Sequence, residues 1–134
     1  DEEPLTAHWP GALSLVLDAR FPENPVHAQA FRAVCGGGHT VSVRVSSNAW
    51  AAKLAHAIGY PIIATSANQS GSPACYTLAD VLAQLVHARK PDLLLDAGEL
   101  PEAPTSTVVR VKDGRVVILR EGAVKIKEER KTEN

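Results

Sequence analysis

Apolar residues recur along this 134-residue chain with two different periods, and the alternation between the two sets the first expectation of fold. Period two, or a short unbroken apolar run, marks strands at residues 13–17 (LSLVL), 40–45 (TVSVRV), 62–65, 93–95, 107–111 and 116–119. TVSVRV alternates most cleanly, with Val41, Val43 and Val45 on one face and Thr40, Ser42 and Arg44 on the other. A period near 3.6 governs residues 50–58. There Trp50, Leu54, Ala57 and Ile58 share a stripe between the cap Asn48 and the stop Gly59. Residues 78–86 repeat the plan: Thr77 and Asp80 resemble a capping box, and Leu78, Val81, Leu82 and Leu85 form a stripe expected to be buried. A third helix is expected over 26–34, ahead of the turn CGGGHT. Between the last two strands, Asp113-Gly114 supplies the turn chemistry of an antiparallel hairpin. Strands alternating with helices and closing on a hairpin predict an α/β fold, a twisted mixed parallel/antiparallel sheet with flanking helices.

Composition narrows the function classes. The length fits one domain, and no apolar run approaches the ~20 residues that span a bilayer, so no membrane role is expected. Fourteen Lys and Arg against fifteen Asp and Glu give a net charge of -1, which confines any nucleic-acid contact to a local patch. Cys35 and Cys75 have no Cys or His neighbour at ligand spacing and no adjacent basic group, so they read as free packing thiols in a reducing compartment. The five histidines share no spacing, which argues against a metal site. Trp9, before Pro10-Gly11, is expected to plug the edge of the core. Residues 125–134 (KIKEERKTEN) lack an apolar face and are expected to form a disordered tail behind a domain spanning 1–124. Methionine is absent, at position 1 as elsewhere, so the sequence is expected to derive from a longer protein.

Three stretches suggest chemistry. ATSANQSG (64–71) follows an apolar run, at the end of an expected strand where open α/β sheets place ligands. With Gly71 and Pro73 behind it, its N–H groups can converge on an anion, joined by the hydroxyls of Ser66 and Ser70. A loop whose Ser and Asn satisfy their own backbone is the plainer alternative. No G-x-x-x-x-G-K-[ST] occurs, which excludes a P-loop ATPase. Arg44, on the polar side of its strand, suits bidentate capture of a carboxylate. Ser106 opens one strand and Arg120 ends the next, and their separation depends on the intervening turn. For either arginine the plainer alternative is a solvated side chain.

In their order and spacing, HWPGALSLVL, TVSVRV, ATSANQSGSP, DLLLDAG, STVV and LREGAV resemble the larger, C-terminal part of a YrdC-like domain, over residues 9–124. This is the family that includes the threonylcarbamoyl-AMP synthases. The resemblance implies a cytoplasmic nucleotidyltransferase that joins L-threonine, bicarbonate and ATP into threonylcarbamoyl-adenylate with release of pyrophosphate. That product leads to threonylcarbamoyladenosine in tRNA, so tRNA or the machinery that modifies it is an implied partner. Carried over by position, Thr40, Ser66, Asn68 and Arg120 contact ATP, with Asn68 shaping its loop. Arg44, Ala64 and Ser106 contact L-threonine, Ala64 through its backbone. No side-chain nucleophile or protein metal ligand is implied; Mg²⁺ is expected on the ATP phosphates. The family's N-terminal Lys and Arg region has no counterpart before Trp9, so the domain is expected to be incomplete at its N-terminus and inactive alone. Ala74 in place of a frequent serine removes one donor, while LREG and PTSTVV resemble YciO-like relatives. A noncatalytic YrdC/YciO-like module binding nucleotide or RNA is therefore the alternative, and a carbamoyl-adenylate-forming relative a third.

Overall fold

The computed structural model describes residues 3–85 and 91–126. Helix α1 (Glu3–Thr6) leads through a cis Trp9-Pro10 peptide into strand β1 (Leu13–Asp18). Helix α2 (Pro25–Val34), strand β2 (Thr40–Val43) and helices α3 (Ala49–Ile58) and α4 (Leu78–Gln84) follow, then strands β3 (Thr107–Lys112) and β4 (Arg115–Arg120). The sheet has the order β2-β1-β3-β4, with β1 and β3 parallel and the outer pairs antiparallel, so it is mixed as the pattern predicts. Asp113 (φ 52°) and Gly114 (φ 72°) both take the left-handed backbone of a two-residue hairpin loop, closed by the pair Lys112 and Arg115.

Cross-strand partners share a face, so the register sorts the side chains. Leu15 pairs with Val43 on one side and Val109 on the other, and Val109 with Ile118. These belong to the core face, where Leu13, Leu15 and Val109 are buried with Leu5, each contributing about 1.5–3 kcal/mol. Trp9, Val124 and Ile126 pack around this cluster, and the Trp9 indole N–H donates to the Leu13 carbonyl at 2.8 Å, which seats it at the core edge. The opposite face carries Thr40 and Ser42 on β2, Ser14, Val16 and Asp18 on β1, Val108 and Arg110 on β3, and Val117 and Arg120 on β4.

Two expected strands do not form. Residues 62–65 and 93–95 take no ladder partner among the described residues, and Ile63, Leu93 and Leu95 are 73–79% exposed. A short apolar run has the composition of a strand, but only a neighbour that bonds its N–H and C=O groups makes it one. The helices form where expected, because their ends are chemically set. Asn48 accepts from the N–H groups of Trp50 and Ala51, and Gly59 (φ 74°) closes α3. Asn24 caps α2 in the same way, ahead of Pro25. Their stripes are not buried as expected: Trp50, Leu54 and Ile58 of α3 and Leu82 of α4 are exposed, and no residue of these helices is fully buried. Val86, expected to end α4, and residues 127–134 of the expected tail lie outside the described residues.

The chain divides into two compact units, Asp1–Ile62 with Pro104–Asn134, and Ile63–Ala103. The sheet belongs to the first and α4 to the second. No helix among the described residues is long and apolar enough to cross a membrane.

Candidate functional site

Strand direction decides which polar residues meet. Because β2 and β4 run against β1 and β3, the starts of β1 and β3 and the ends of β2 and β4 share one end of the sheet. Ser14, Ser106, Arg44 and Arg120 stand at that end, Arg44 one residue beyond the last pair of β2. Thr40 does not join them. It pairs with Asp18 at the other end, about 13 Å away along the strand at ~3.3 Å per residue.

A β-bulge presents Arg120. Val109 pairs with Ile118 but Val108 pairs with Arg120, so Leu119 is an extra residue. Without it, simple alternation would turn residue 120 toward the core; with it, Arg120 falls on the polar face. Its guanidinium then clamps Ser106: Nε and Nη2 donate to the Ser106 carbonyl at 3.1 and 2.7 Å, and Nη2 also to Ser106 Oγ at 3.1 Å. Ser106 Oγ lies 3.1 Å from Ser14 Oγ. The chain leaving β4 locks the arrangement from below. Ala123 N–H donates to the Thr105 carbonyl, and the Thr107 hydroxyl donates to the Val124 carbonyl at 2.6 Å while accepting from its N–H at 3.0 Å. Gly122 runs so close to this backbone that a Cβ there would lie 2.6 Å from both Ser106 C and Thr107 N.

The charge at Arg120 is uncompensated. Its partners are neutral, no carboxylate among the described residues pairs with it, and both N–H groups of Nη1 remain uncommitted. Arg110, on the same face, differs: Nη2 meets Asp18 at 2.8 Å, so its charge is answered within the fold. Arg44 is exposed, without a hydrogen bond or ion pair among the described residues. An open hollow of about 530 Å³ is lined by Ile118, Leu119, Arg120, Glu121 and Ile126, and not by Ser14, Ser106 or Arg44. This end of the sheet offers hydroxyls and guanidinium N–H groups, which bind anionic oxygen rather than a cation. No group of three His, Cys, Asp or Glu side chains that could hold a metal occurs among the described residues.

Ala64, Ser66 and Asn68 belong to the second unit. Asn68 spends its amide on the loop, with Nδ2 donating to the Ser72 carbonyl at 2.9 Å and the Gln69 carbonyl at 3.1 Å. Gln84 of α4 holds the same bend, accepting from Gln69 N–H at 2.8 Å and donating to the Pro73 carbonyl at 3.0 Å. Gly71 (φ 82°) supplies the turn. Ala64 and Ser66 are exposed, and the Ser66 hydroxyl makes no hydrogen bond among the described residues. The capping box seen in the sequence starts α4. The Thr77 hydroxyl donates to Asp80 at 2.7 Å, and this bond lowers the Asp80 pKa. A lowered carboxyl stabilises the folded state above its ordinary range, and that contribution is lost as pH falls through the lowered value.

Sequence reasoning missed Ser14, the Arg110–Asp18 pair, Gly122 and Gln84. Ser14 left a visible trace as the polar interruption of LSLVL; Gly122 and Gln84 act through distant partners and left none.

Comparison with known proteins agrees with this architecture. Residues 2–122 match the Sua5/YciO/YrdC family model, described as telomere recombination. The threonylcarbamoyl-AMP synthase of Pyrococcus abyssi is 36% identical over 120 residues, covering 90% of this chain and 33% of that protein. The synthase of Klebsiella pneumoniae is 38% identical over 82 residues, covering 61% and 40%. The crystal structure of P. abyssi Sua5 complexed with L-threonine superposes with a TM-score of 0.73 at 34% identity, over 90% of this chain and 33% of that one. The chain thus spans well under two thirds of the length of these relatives. With a match that runs through all of β1 to β4, this chain belongs to the Sua5/YciO/YrdC family.

Proposed function

We propose that the chain carries part of the active site of a threonylcarbamoyl-AMP synthase. The threonine amine takes up bicarbonate with loss of water to give a carbamate. A carbamate oxygen then attacks the α-phosphorus of ATP, the bond to the β-phosphate oxygen breaks, and pyrophosphate leaves. Such a reaction needs no protein nucleophile; it needs two anionic reactants held in line and their charge answered.

The observation that carries this reading is the Arg120 guanidinium, oriented by the neutral acceptors of Ser106 and keeping its charge and its Nη1 donors for a ligand. In this assignment Arg120 and Thr40 bind ATP, and Ser106 and Arg44 bind threonine, Arg44 as the carboxylate clamp. Ser66 binds ATP, Asn68 shapes the bend beside it, and the backbone of Ala64 meets threonine. A Mg²⁺ arriving with ATP is held by phosphates and water. The setting is cytoplasmic, and the adenylate is consumed by transfer to adenosine in tRNA. The synthases named among the relatives, and the relative crystallised with L-threonine, support the substrate class.

Pyrophosphate release by the full-length protein is expected to require threonine, bicarbonate and ATP together. ATP binding that is indifferent to threonine, with no adenylate formed, would replace this reading with that of a noncatalytic nucleotide-binding module.

A further inference from the structure

We propose that Ser14 is a positioning residue that makes the Ser106 hydroxyl an obligatory hydrogen-bond donor to an anionic substrate oxygen, the carboxylate of the amino acid. The inference rests on the functional assignment of Ser106 and extends it to a residue two strands away in hydrogen-bond terms from Arg120.

A serine hydroxyl has one proton to give and two positions at which to accept. Ser14 is only 8% exposed, and its hydroxyl has a single protein partner among the described residues, Ser106 Oγ at 3.1 Å. A buried O–H left without an acceptor is costly, so the proton of Ser14 goes to Ser106. Ser106 Oγ also receives Nη2 of Arg120 at 3.1 Å. Both acceptor positions of Ser106 are then filled, one by a hydroxyl and one by a cation. Its own proton has no acceptor among the described residues, and the side chain is only half-buried, so that proton is directed at whatever enters. A carboxylate, which only accepts, completes the set; an amide nitrogen or ammonium does not. The register explains why position 14 can do this. Leu13 and Leu15 commit to the core, so Ser14 must face the polar side, at the end of the sheet where Ser106 and Arg120 stand.

The test compares Ser14→Ala and Ser14→Thr with wild type in the full-length protein, by calorimetric titration with L-threonine, L-threoninamide and ATP. Ser14→Ala is expected to weaken L-threonine about tenfold, to leave ATP within twofold, and to weaken L-threoninamide less, about two- to threefold, because its neutral carbonyl oxygen also accepts but forms the weaker bond. Ser14→Thr, which restores the hydroxyl, is expected to recover threonine affinity. Equal weakening of threonine and threoninamide, or of threonine and ATP, would assign Ser14 to packing alone and overturn the proposal. A wild-type protein that binds no threonine defeats the functional assignment, whereas a wild type that binds threonine beside a Ser14→Ala variant that binds it equally well overturns the role of Ser14 alone.

Discussion

The polar face of the sheet has an arginine toward each end, and the two are held in opposite ways. Near the end where β2 starts, Arg110 meets Asp18 at 2.8 Å, and both side chains are substantially exposed. Such a pair is worth about 0–1 kcal/mol and leaves little charge over for a ligand. At the other end, Arg120 is held as firmly, but by the carbonyl and hydroxyl of Ser106. Its geometry is fixed and its charge is not spent. An arginine is made ready for an anion by the neutrality of what holds it, and exposure alone does not distinguish the two residues.

Substitution at the open end is expected to have the largest effect. Arg120→Ala should reduce threonine-dependent pyrophosphate release by the full-length protein about a hundredfold or more, with Arg120→Lys recovering part of it, since the charge survives without the fork. Activity within threefold of wild type in Arg120→Ala would remove the contrast between the two ends. Gly122→Ala comes next. Its Cβ meets backbone at Ser106 and Thr107 rather than a yielding side chain, so it should cost about 1–3 kcal/mol in urea unfolding and disturb Ser106. An unaltered unfolding midpoint would mean that Ser106 is not braced from below. The smallest effect belongs to the closed end: Arg110→Gln should change stability by under about 1 kcal/mol and pyrophosphate release by less than twofold. A loss comparable to that of Arg120→Ala would show that Arg110 also serves the ligand.

The parts of the fold legible in the sequence are those decided by neighbours along the chain. Alternation located β1 and β2, Asp113-Gly114 the hairpin, Asn48 and Gly59 the bounds of α3, and Thr77 with Asp80 the start of α4. What depended on a distant partner was not legible. Residues 62–65 and 93–95 looked like strands because the test for a ladder partner cannot be made on a short apolar run. The stripe of α3 predicted a face but not what would cover it. At the candidate site, Ser106 and Arg120 could be named but not brought together, because the extra residue Leu119 that turns Arg120 to the polar face is a property of the pairing. The contact of Ser14 was concealed for the same reason, as its partner Ser106 lies just before β3 and 92 residues away in sequence.

The parallel pairing of β1 with β3 also governs when the proposed anion site can form. Ser14 and Ser106 are 92 residues apart, and every intervening element must be synthesised before the two can touch. Contacts of such span form late in folding. A nascent chain on the ribosome therefore carries Ser14 long before its contact with Ser106 can form, and the proposed site is complete only when the closing hairpin emerges.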